Sequence, residues 1–275
     1  MLSRPLIGVF DSGVGGLSVW REIIRQLPHH DTIYLADQAH VPYGGRSLED
    51  VRGFCGGITR FFLARSVQAV VVACNTASAA ALYALREAFP AVHFVGMEPA
   101  VKPAVERSRT GVVAVIATRA TFQGELFESL LERYAQDVEV LTRVCPGLVE
   151  AVEAGALDDP GTDALLLRCL MPLVDADVDQ LVLGCTHYPF LRPAIERLVG
   201  DGISVIDPAL AVARQTARVV TGLGLEFDQD RRGNHVFFTT GQSAAFEEML
   251  ESLAGELTES RSVHRAWWRS GELVT

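Results

Sequence analysis

Lysine is almost missing from this sequence. Of its 24 basic residues only Lys102 is a lysine, and all the others are arginines. Enzymes that use pyridoxal phosphate bind it as a Schiff base on a lysine, and the sequence around Lys102 shows no sign of a cofactor site. We therefore expect any amino-acid chemistry of this chain to run without that cofactor.

Positive charge and long apolar runs are scarce as well. The 34 acidic residues outnumber the 24 basic ones, which gives a net charge of −10 at pH 7. Nucleic acids and anionic membranes bind concentrated positive surfaces, so neither is expected as a partner. The apolar run before Asp11 is too short for a secretory signal, and Asn75, Thr76 and Ser78 interrupt the longest uncharged stretch, residues 66–85. These absences predict a cytoplasmic protein.

The five cysteines form no Cys-x-x-Cys pair. An odd number of cysteines without that spacing indicates neither a disulfide framework nor a common zinc site. We expect five free thiols and no bound metal, with Cys55 and Cys169 as core residues of apolar helices.

Short β-branched segments alternate with helical patterns along most of the 275 residues. This alternation is typical of an α/β fold with parallel sheets covered by helices, and the length fits one large domain or two compact ones. A capping-box pattern predicts that a helix begins after Ser47. The predicted strands are residues 6–10, 32–36, 69–73, 93–95, 112–117, 139–143, 180–183, 204–206 and 236–239.

A weak internal repeat relates the two halves of the chain. Each half places a cysteine after a buried strand, Cys74 in the first half and Cys185 in the second. Ligands of open α/β sheets bind at the carboxyl ends of the strands. We therefore predict two similar parallel-sheet α/β domains related by pseudo-symmetry, with both thiols facing an active-site cleft between them. The domains are expected at residues 1–97 plus 208–275 and at residues 98–207.

The neighbours of both cysteines suit proton transfer. Polar residues after Cys74 predict a helix start, where the helix dipole lowers the pKa of a thiol, and His187 follows Cys185 closely enough to take a proton. Two thiols on opposite sides of a substrate suit removal of a proton from one face and its return on the other, which is racemisation or epimerisation. A single nucleophilic cysteine would indicate a hydrolase or transferase, and the repeat disfavours that alternative.

The turn Asp11-Ser12-Gly13-Val14-Gly15-Gly16 follows the first predicted strand and precedes a helix. Glycines free backbone N–H groups at a helix N-terminus, which favours a small anion such as a phosphate or a carboxylate. A dinucleotide site is the alternative, because Asp37 ends the second strand where a ribose-binding acid would stand. Ser18 occupies the third glycine position of that motif, so a small-anion site is the preferred interpretation.

Four motifs, in their order along the chain, resemble those of the glutamate racemase family of bacterial cell-wall synthesis. They are Asp11-Ser12-Gly13-Val14-Gly15-Gly16, Val41-Pro42-Tyr43-Gly44, Ala73-Cys74-Asn75-Thr76-Ala77-Ser78 and Gly184-Cys185-Thr186-His187-Tyr188-Pro189. The resemblance extends from about Ile7 to Val220. It implies a cofactor-independent isomerase that interconverts L- and D-glutamate for peptidoglycan synthesis, with a small-molecule substrate, no metal and a homodimeric assembly.

The resemblance also implies roles for individual residues. Cys74 would deprotonate D-glutamate and Cys185 L-glutamate, assisted by Asp11 and His187 respectively. A further acid of the family, which follows a Cys-Pro pair, aligns with Glu153, and Glu150 on the same helical face stays an alternative. The residues that would hold the substrate are Asp11, Ser12, Tyr43, Gly44, Asn75, Thr76, Thr186 and His187.

The sequence departs from the family at two positions near the second motif. Gln38 and His40 stand where the family often carries Thr and Arg, and we expect them at the rim of the site, away from the proton-transfer groups. Two other functions stay open: racemisation of aspartate or another acidic amino acid, and a nucleotide- or phosphate-binding regulatory module built on the glycine-rich turn. The tail 255–275, which contains Trp267 and Trp268, could dock on the body of the protein or on a partner.

Overall fold

A computed structural model describes residues 6–224, 230–255 and 261–275 of the chain. The N-terminal residues 1–5, part of the predicted domain range 208–275 and the start of the tail therefore lie outside the described residues. Within them, no helix is long and apolar enough to cross a membrane.

The described residues form alternating strands and helices in the order that the sequence predicts. The strands are β1 (Leu6–Asp11), β2 (Asp31–Ala36), β3 (Ala69–Val72), β4 (His93–Val95), β5 (Val112–Ala117), β6 (Glu139–Val144), β7 (Gln180–Gly184), β8 (Ser204–Ile206), β9 (His235–Thr239), β10 (Arg261–Arg265), β11 (Trp267–Arg269) and β12 (Glu272–Val274). The helices are α1 (Leu17–Gln26), α2 (Leu48–Leu63), α3 (Asn75–Ala88), α4 (Val101–Arg107), α5 (Arg119–Phe122), α6 (Glu125–Tyr134), α7 (Leu148–Glu153), α8 (Pro160–Val174), α9 (Arg192–Val199), α10 (Ala209–Gly222) and α11 (Ser243–Ala254).

The strands build two main sheets with the same internal order. The first sheet has the order β10-β9-β2-β1-β3-β4, and the second has the order β6-β5-β7-β8. All pairings within both sheets are parallel. The four strands β2-β1-β3-β4 thus correspond to β6-β5-β7-β8, which confirms the predicted two-domain α/β fold with an internal repeat.

Both faces of the central strands are buried, as is usual for parallel sheets covered by helices. In β1, Ile7 and Val9 belong to one core cluster and Phe10 to another on the opposite face. The first of these clusters continues into the second sheet through Ile116 of β5 and Leu183 of β7. The two sheets therefore share a continuous apolar core.

All nine predicted strands are confirmed, with bounds that agree within one residue. The predicted helix start is confirmed too, because Ser47 is the N-cap of α2 and its side chain accepts a hydrogen bond from the Asp50 N–H at 3.1 Å. The sequence analysis did not predict β10, which extends the first sheet, or the antiparallel hairpin of β11 and β12. A two-residue turn at Ser270 and Gly271, both with positive φ, closes that hairpin.

The expectation of five free thiols is wrong for two of them. Cys145, directly after β6, is bonded to Cys169 in α8, with their Cα atoms 5.6 Å apart. Because α8 packs beside the end of β6, it brings together two cysteines whose spacing along the chain gives no disulfide signal. Cys55, Cys74 and Cys185 are free and buried.

Candidate active site

The two predicted catalytic thiols lie just beyond the ends of corresponding strands. Cys74 follows β3 and is the N-cap of α3, where its Sγ accepts a hydrogen bond from the Ala77 N–H at 3.4 Å. Cys185 follows β7 in the second sheet. Both thiols line a single cavity, although their side chains come from different sheets. The carboxyl ends of parallel strands are the usual ligand-binding edge of an α/β sheet.

The cavity is small. Its volume is about 10 Å³, which is room for one water molecule. An amino acid is far larger than one water molecule. The walls of the cavity must therefore separate for an amino acid to enter. The predicted site residues in the cavity wall are Ser12, Tyr43, Gly44, Cys74, Asn75, Thr76, Cys185, Thr186 and His187.

Electrostatics set the protonation of Cys74. Burial raises the pKa of the thiol well above its ordinary value, the Asp11 carboxylate raises it further, and the hydrogen bond from Ala77 opposes both. The helix start lowers the Cys74 pKa as expected, through the Ala77 N–H, but the net shift is upward because desolvation outweighs one N–H donor. The neutral thiol is the favoured form.

On the other side of the cavity, His187 lies between Cys185 and Glu153. Its Nδ1 is 3.8 Å from Cys185 Sγ, and its Nε2 is 2.7 Å from Glu153 Oε1. Burial alone would lower the His187 pKa, but the bonds to Cys185 and Glu153 outweigh it and raise the pKa well above its ordinary value. A protonated imidazole can therefore donate to both neighbours.

The structure brings Glu153 to the site, whereas Glu150 in the same helix is exposed. Burial raises the pKa of the Glu153 carboxyl, but the hydrogen bonds from His187, Gln38 and the backbone N–H of Val14 outweigh burial and lower it. Glu153 is thus an ionised carboxylate held by donors from both sheets.

The glycine-rich turn after β1 binds an anion, but that anion is a side chain of the protein itself. Val14 N–H donates to Glu153 Oε1 at 2.7 Å. A Cβ on Gly13 would lie 1.8 Å from the same oxygen, and a Cβ on Gly15 would lie 2.3 Å from His187 Nδ1. These glycines therefore make room for the Glu153 and His187 side chains.

Asp11 is completely buried at the end of β1. Its Oδ2 accepts a hydrogen bond from the Gly13 N–H at 3.0 Å, and its Oδ1 accepts one from the Thr186 hydroxyl at 3.2 Å. Burial raises the pKa of this carboxyl, and the charge of His187 opposes that rise. Asp11 is close enough to Cys74 to influence its pKa, and no hydrogen bond joins the two among the described residues.

Among the predicted substrate-binding residues, Asn75 stands out. It is 3% exposed, and neither its side-chain nitrogen nor its side-chain oxygen has a hydrogen-bond partner within the described part of the chain. A buried amide without partners costs free energy. Because Asn75 lines the cavity, both atoms are available for a polar ligand there.

Asp37 is excluded as a ribose ligand because the protein saturates its carboxylate. It accepts hydrogen bonds from Tyr43 Oη at 2.7 Å, Thr240 Oγ1 at 2.9 Å and Trp268 Nε1 at 2.7 Å, and His40 Nδ1 is 2.8 Å away. The described part of the tail thus docks on the body of the protein, where it helps to fix the cavity residue Tyr43.

Thr118 and Val149 belong to the cavity wall but were not identified from the sequence. Thr118 lines the cavity from the second sheet and contacts Thr76 Oγ1 at 2.8 Å. The internal repeat could have pointed to Thr118, because the turn after β5 corresponds to the turn after β1. Gln38 donates from Nε2 to Glu153 Oε2 at 2.8 Å, so the expectation that it stays away from the proton-transfer groups is wrong.

Other features of the described residues offer no competing centre. No group of three or more His, Cys, Asp or Glu among them could hold a metal ion. A larger cleft of about 520 Å³ opens beside Gly96 and Pro208, but its lining contains neither thiol.

Comparisons with known proteins show which family this chain belongs to. A sequence model of the family Asp/Glu/Hydantoin racemase matches residues 7–216. A glutamate racemase of Pseudomonas paraeruginosa is 53% identical over 249 residues, which are 90% of this chain and 94% of the relative. The crystal structure of a glutamate racemase isoform from Bacillus anthracis matches with a TM-score of 0.86 and 35% identity, and covers 98% of both chains. That of Escherichia coli glutamate racemase, in complex with L-glutamate and the activator UDP-MurNAc-ala, has a TM-score of 0.84 and 31% identity over 99% of this chain and 100% of that one.

Proposed function

The chain belongs to the Asp/Glu/hydantoin racemase family, within its glutamate racemases, and is an isomerase; from this premise we propose that it interconverts L- and D-glutamate without a cofactor. The observation that carries the proposal is that two free thiols, Cys74 and Cys185, line one small cavity from two related sheets. Two proton-transfer groups on opposite sides of one carbon are what inversion requires.

In the L-to-D direction, the Cys185 thiolate takes the Cα proton and becomes a thiol. The Cys74 thiol gives its proton to the opposite face of the carbanion and becomes a thiolate. The reverse reaction exchanges these roles, so Cys74 deprotonates D-glutamate. Protonated His187 supports the Cys185 thiolate, and Asp11 assists Cys74. Proton transfer by positioned groups contributes typically about 10² to 10⁴ in rate.

The remaining polar residues of the cavity are proposed to hold the substrate. The unpartnered amide of Asn75 supports this role most directly. We assign Glu153 to the orientation of His187. The residues of the cavity wall assigned to the substrate's carboxylates and amino group are Ser12, Tyr43, Gly44, Asn75, Thr76, Thr186 and His187. Asp11 is assigned with them, although it is fully buried and not part of that wall.

We further propose that residues 1–97 with 208–275 and residues 98–207 are the two domains, and that they separate to admit the substrate. The small volume of the cavity supports such an opening. A homodimer and the supply of D-glutamate to peptidoglycan synthesis are proposed on the family resemblance, and a cytoplasmic location is proposed on the sequence. The nucleotide-binding alternative has less support, because the Val14 N–H already binds Glu153.

Chiral chromatography tests the proposed reaction. Purified protein is incubated with L-glutamate in the presence of EDTA and without pyridoxal phosphate. We expect D-glutamate to accumulate until the two enantiomers are equal. Parallel incubation with L-aspartate tests the related alternative, and faster turnover of aspartate would favour it. Absence of D-glutamate from a folded, reduced preparation would contradict the proposal.

A further inference from the structure

Gln38 spans the space between the first sheet and the acid of the second. It follows β2, and its Nε2 donates to Glu153 Oε2 at 2.8 Å. Its Oε1 accepts a hydrogen bond from the Thr239 hydroxyl at 2.7 Å, at the end of β9. The side chain thus links β9 of the first sheet to α7, the helix that follows β6 of the second sheet.

The surroundings of Gln38 define which way its amide faces. A hydroxyl can donate to the amide oxygen, and the NH₂ group must then face the carboxylate. The loop after β9 packs closely against the Gln38 side chain, since a Cβ on Gly241 would lie 2.9 Å from Gln38 Oε1. The Gly241 N–H also donates to Thr239 Oγ1 at 2.9 Å. Gln38 is therefore held at its oxygen end by a fixed loop.

The two oxygens of Glu153 have different partners. Oε1 accepts from the Val14 N–H and contacts His187 Nε2, both at 2.7 Å. Oε2 has a single described hydrogen bond, the one from Gln38. Loss of that bond would leave a largely buried carboxylate oxygen without a donor from the described residues. The carboxylate would then lower its free energy by turning towards water. Such a turn would move Oε1 away from His187.

We propose that Gln38 is a positioning residue for the Cys185 side of the site. It fixes the Glu153 carboxylate so that Oε1 holds His187 beside Cys185. Gln38 is not in the cavity wall, so it acts through Glu153 rather than on the substrate. The kinetic consequence rests on the proposed racemase function, whereas the positioning itself does not.

A double-mutant cycle separates this role from a general structural one. Gln38→Met keeps the length of the side chain but removes the amide. We expect it to lower kcat about tenfold, because hydrogen bonds to charged groups are worth on the order of one tenfold step or more. In a Glu153→Ala background the same change should have no further effect. Thr239→Val should lower kcat less, and not at all when combined with Gln38→Met. Equal effects of Gln38→Met in both backgrounds would overturn the proposal.

Gln136→Met is the matched control, because Gln136 is an exposed glutamine in the second half of the chain. It should leave kcat unchanged. Far-UV circular dichroism checks that every variant is folded. If Gln38→Met does not fold, Thr239→Val takes its place in the test.

A second readout does not depend on turnover. The imidazole ¹⁵N signals of His187 in NMR spectra should shift in Gln38→Met, although residue 38 does not touch the ring, and should stay unchanged in Gln136→Met. Unshifted His187 signals would overturn the proposal even if the wild-type protein proves inactive on glutamate. Inactivity of the wild type with shifted signals would instead contradict the proposed function alone.

Discussion

The two sides of the cavity carry the same nucleophilic atom in opposite settings. Cys74 is held at a helix start beside an ionisable carboxyl, and burial raises its pKa so that the neutral thiol is favoured. Cys185 faces a protonated imidazole that Glu153 holds from behind. Because both strands occupy corresponding places in a repeat, the difference comes from the residues around each thiol and not from the fold.

The asymmetry has a chemical consequence under the proposed mechanism. The L-to-D direction needs a neutral thiol at Cys74 that can give its proton to the other face, and this is the form that burial and Asp11 favour. The D enantiomer requires the opposite protonation of the two thiols, which Asp11 and burial disfavour at Cys74.

Removal of either thiol should have the largest effect. Cys74→Ala and Cys185→Ala are each expected to lower kcat by about 10²- to 10⁴-fold or more, for L-to-D as well as D-to-L conversion. The reason is that one group removes the proton and the other delivers it. Steady-state rates with pure enantiomers measure this effect. Cys55→Ala is the matched control, since Cys55 is a free buried thiol outside the cavity, and it should keep the wild-type rate. A near wild-type rate in either site variant would refute the two-thiol assignment.

Gly13→Ala tests the close approach of the two sheets. The added Cβ would occupy the position of Glu153 Oε1, which can swing away at little cost in folding free energy, so we expect a large loss of activity with a small change in stability. The control is Gly53→Ala in α2, where an added Cβ meets nothing within 4 Å. That change should raise the free energy of unfolding by up to about 1 kcal/mol without altering the rate. If Gly13→Ala retained full activity, the placement of Glu153 would be irrelevant to the reaction.

Replacing one helper at a time should reveal the difference between the two sides. Asp11→Asn and His187→Asn should each lower kcat/KM equally for both enantiomers, since the equilibrium constant between enantiomers is one. The two kcat values are not tied in this way, and they should change unequally, in opposite senses for the two variants. Initial rates from pure L- and pure D-glutamate provide the measurement. The same factor on both kcat values in both variants would leave the pairing of helpers and thiols without support.

The smallest expected effect concerns stability, and it contrasts two buried histidines. Burial lowers the pKa of His235 in β9 to about 4, whereas the pKa of His187 is raised. In the unfolded chain the His235 imidazole binds a proton below its ordinary pKa of about 6.5. In the folded chain the imidazole stays neutral until about pH 4. Its contribution is therefore fully present above pH 6.5 and is lost as the pH falls through that window.

The contribution of His235 amounts to about 2 kcal/mol between pH 7 and pH 5. Urea unfolding of wild type and His235→Gln at these two pH values measures it. The variant should lose less stability on acidification by about that amount. An identical pH dependence of the two proteins would show that His235 titrates alike in the folded and unfolded chains.

The sequence predicted the strands well because buried parallel strands are short apolar runs between polar turns, and both cysteines stand directly after such runs. It did not predict the pKa of Cys74, since desolvation depends on packing from elements distant in the chain. The contact between Gln38 and Glu153, 115 residues apart, was hidden for the same reason. The β11–β12 hairpin did have a local signal in Ser270-Gly271, which are suited to a tight turn with positive φ.

Isotope incorporation tests the central claim most directly. L-glutamate is converted by the purified protein in D₂O, the reaction is stopped early, and the two enantiomers are separated and analysed by mass spectrometry. With two thiols on opposite faces, the proton taken from one face does not reach the other. The account therefore predicts deuterium at Cα of the first D-glutamate formed and protium in the remaining L-glutamate. Retention of the original protium in the D-glutamate would show that a single group moves the proton, and would contradict the two-thiol account.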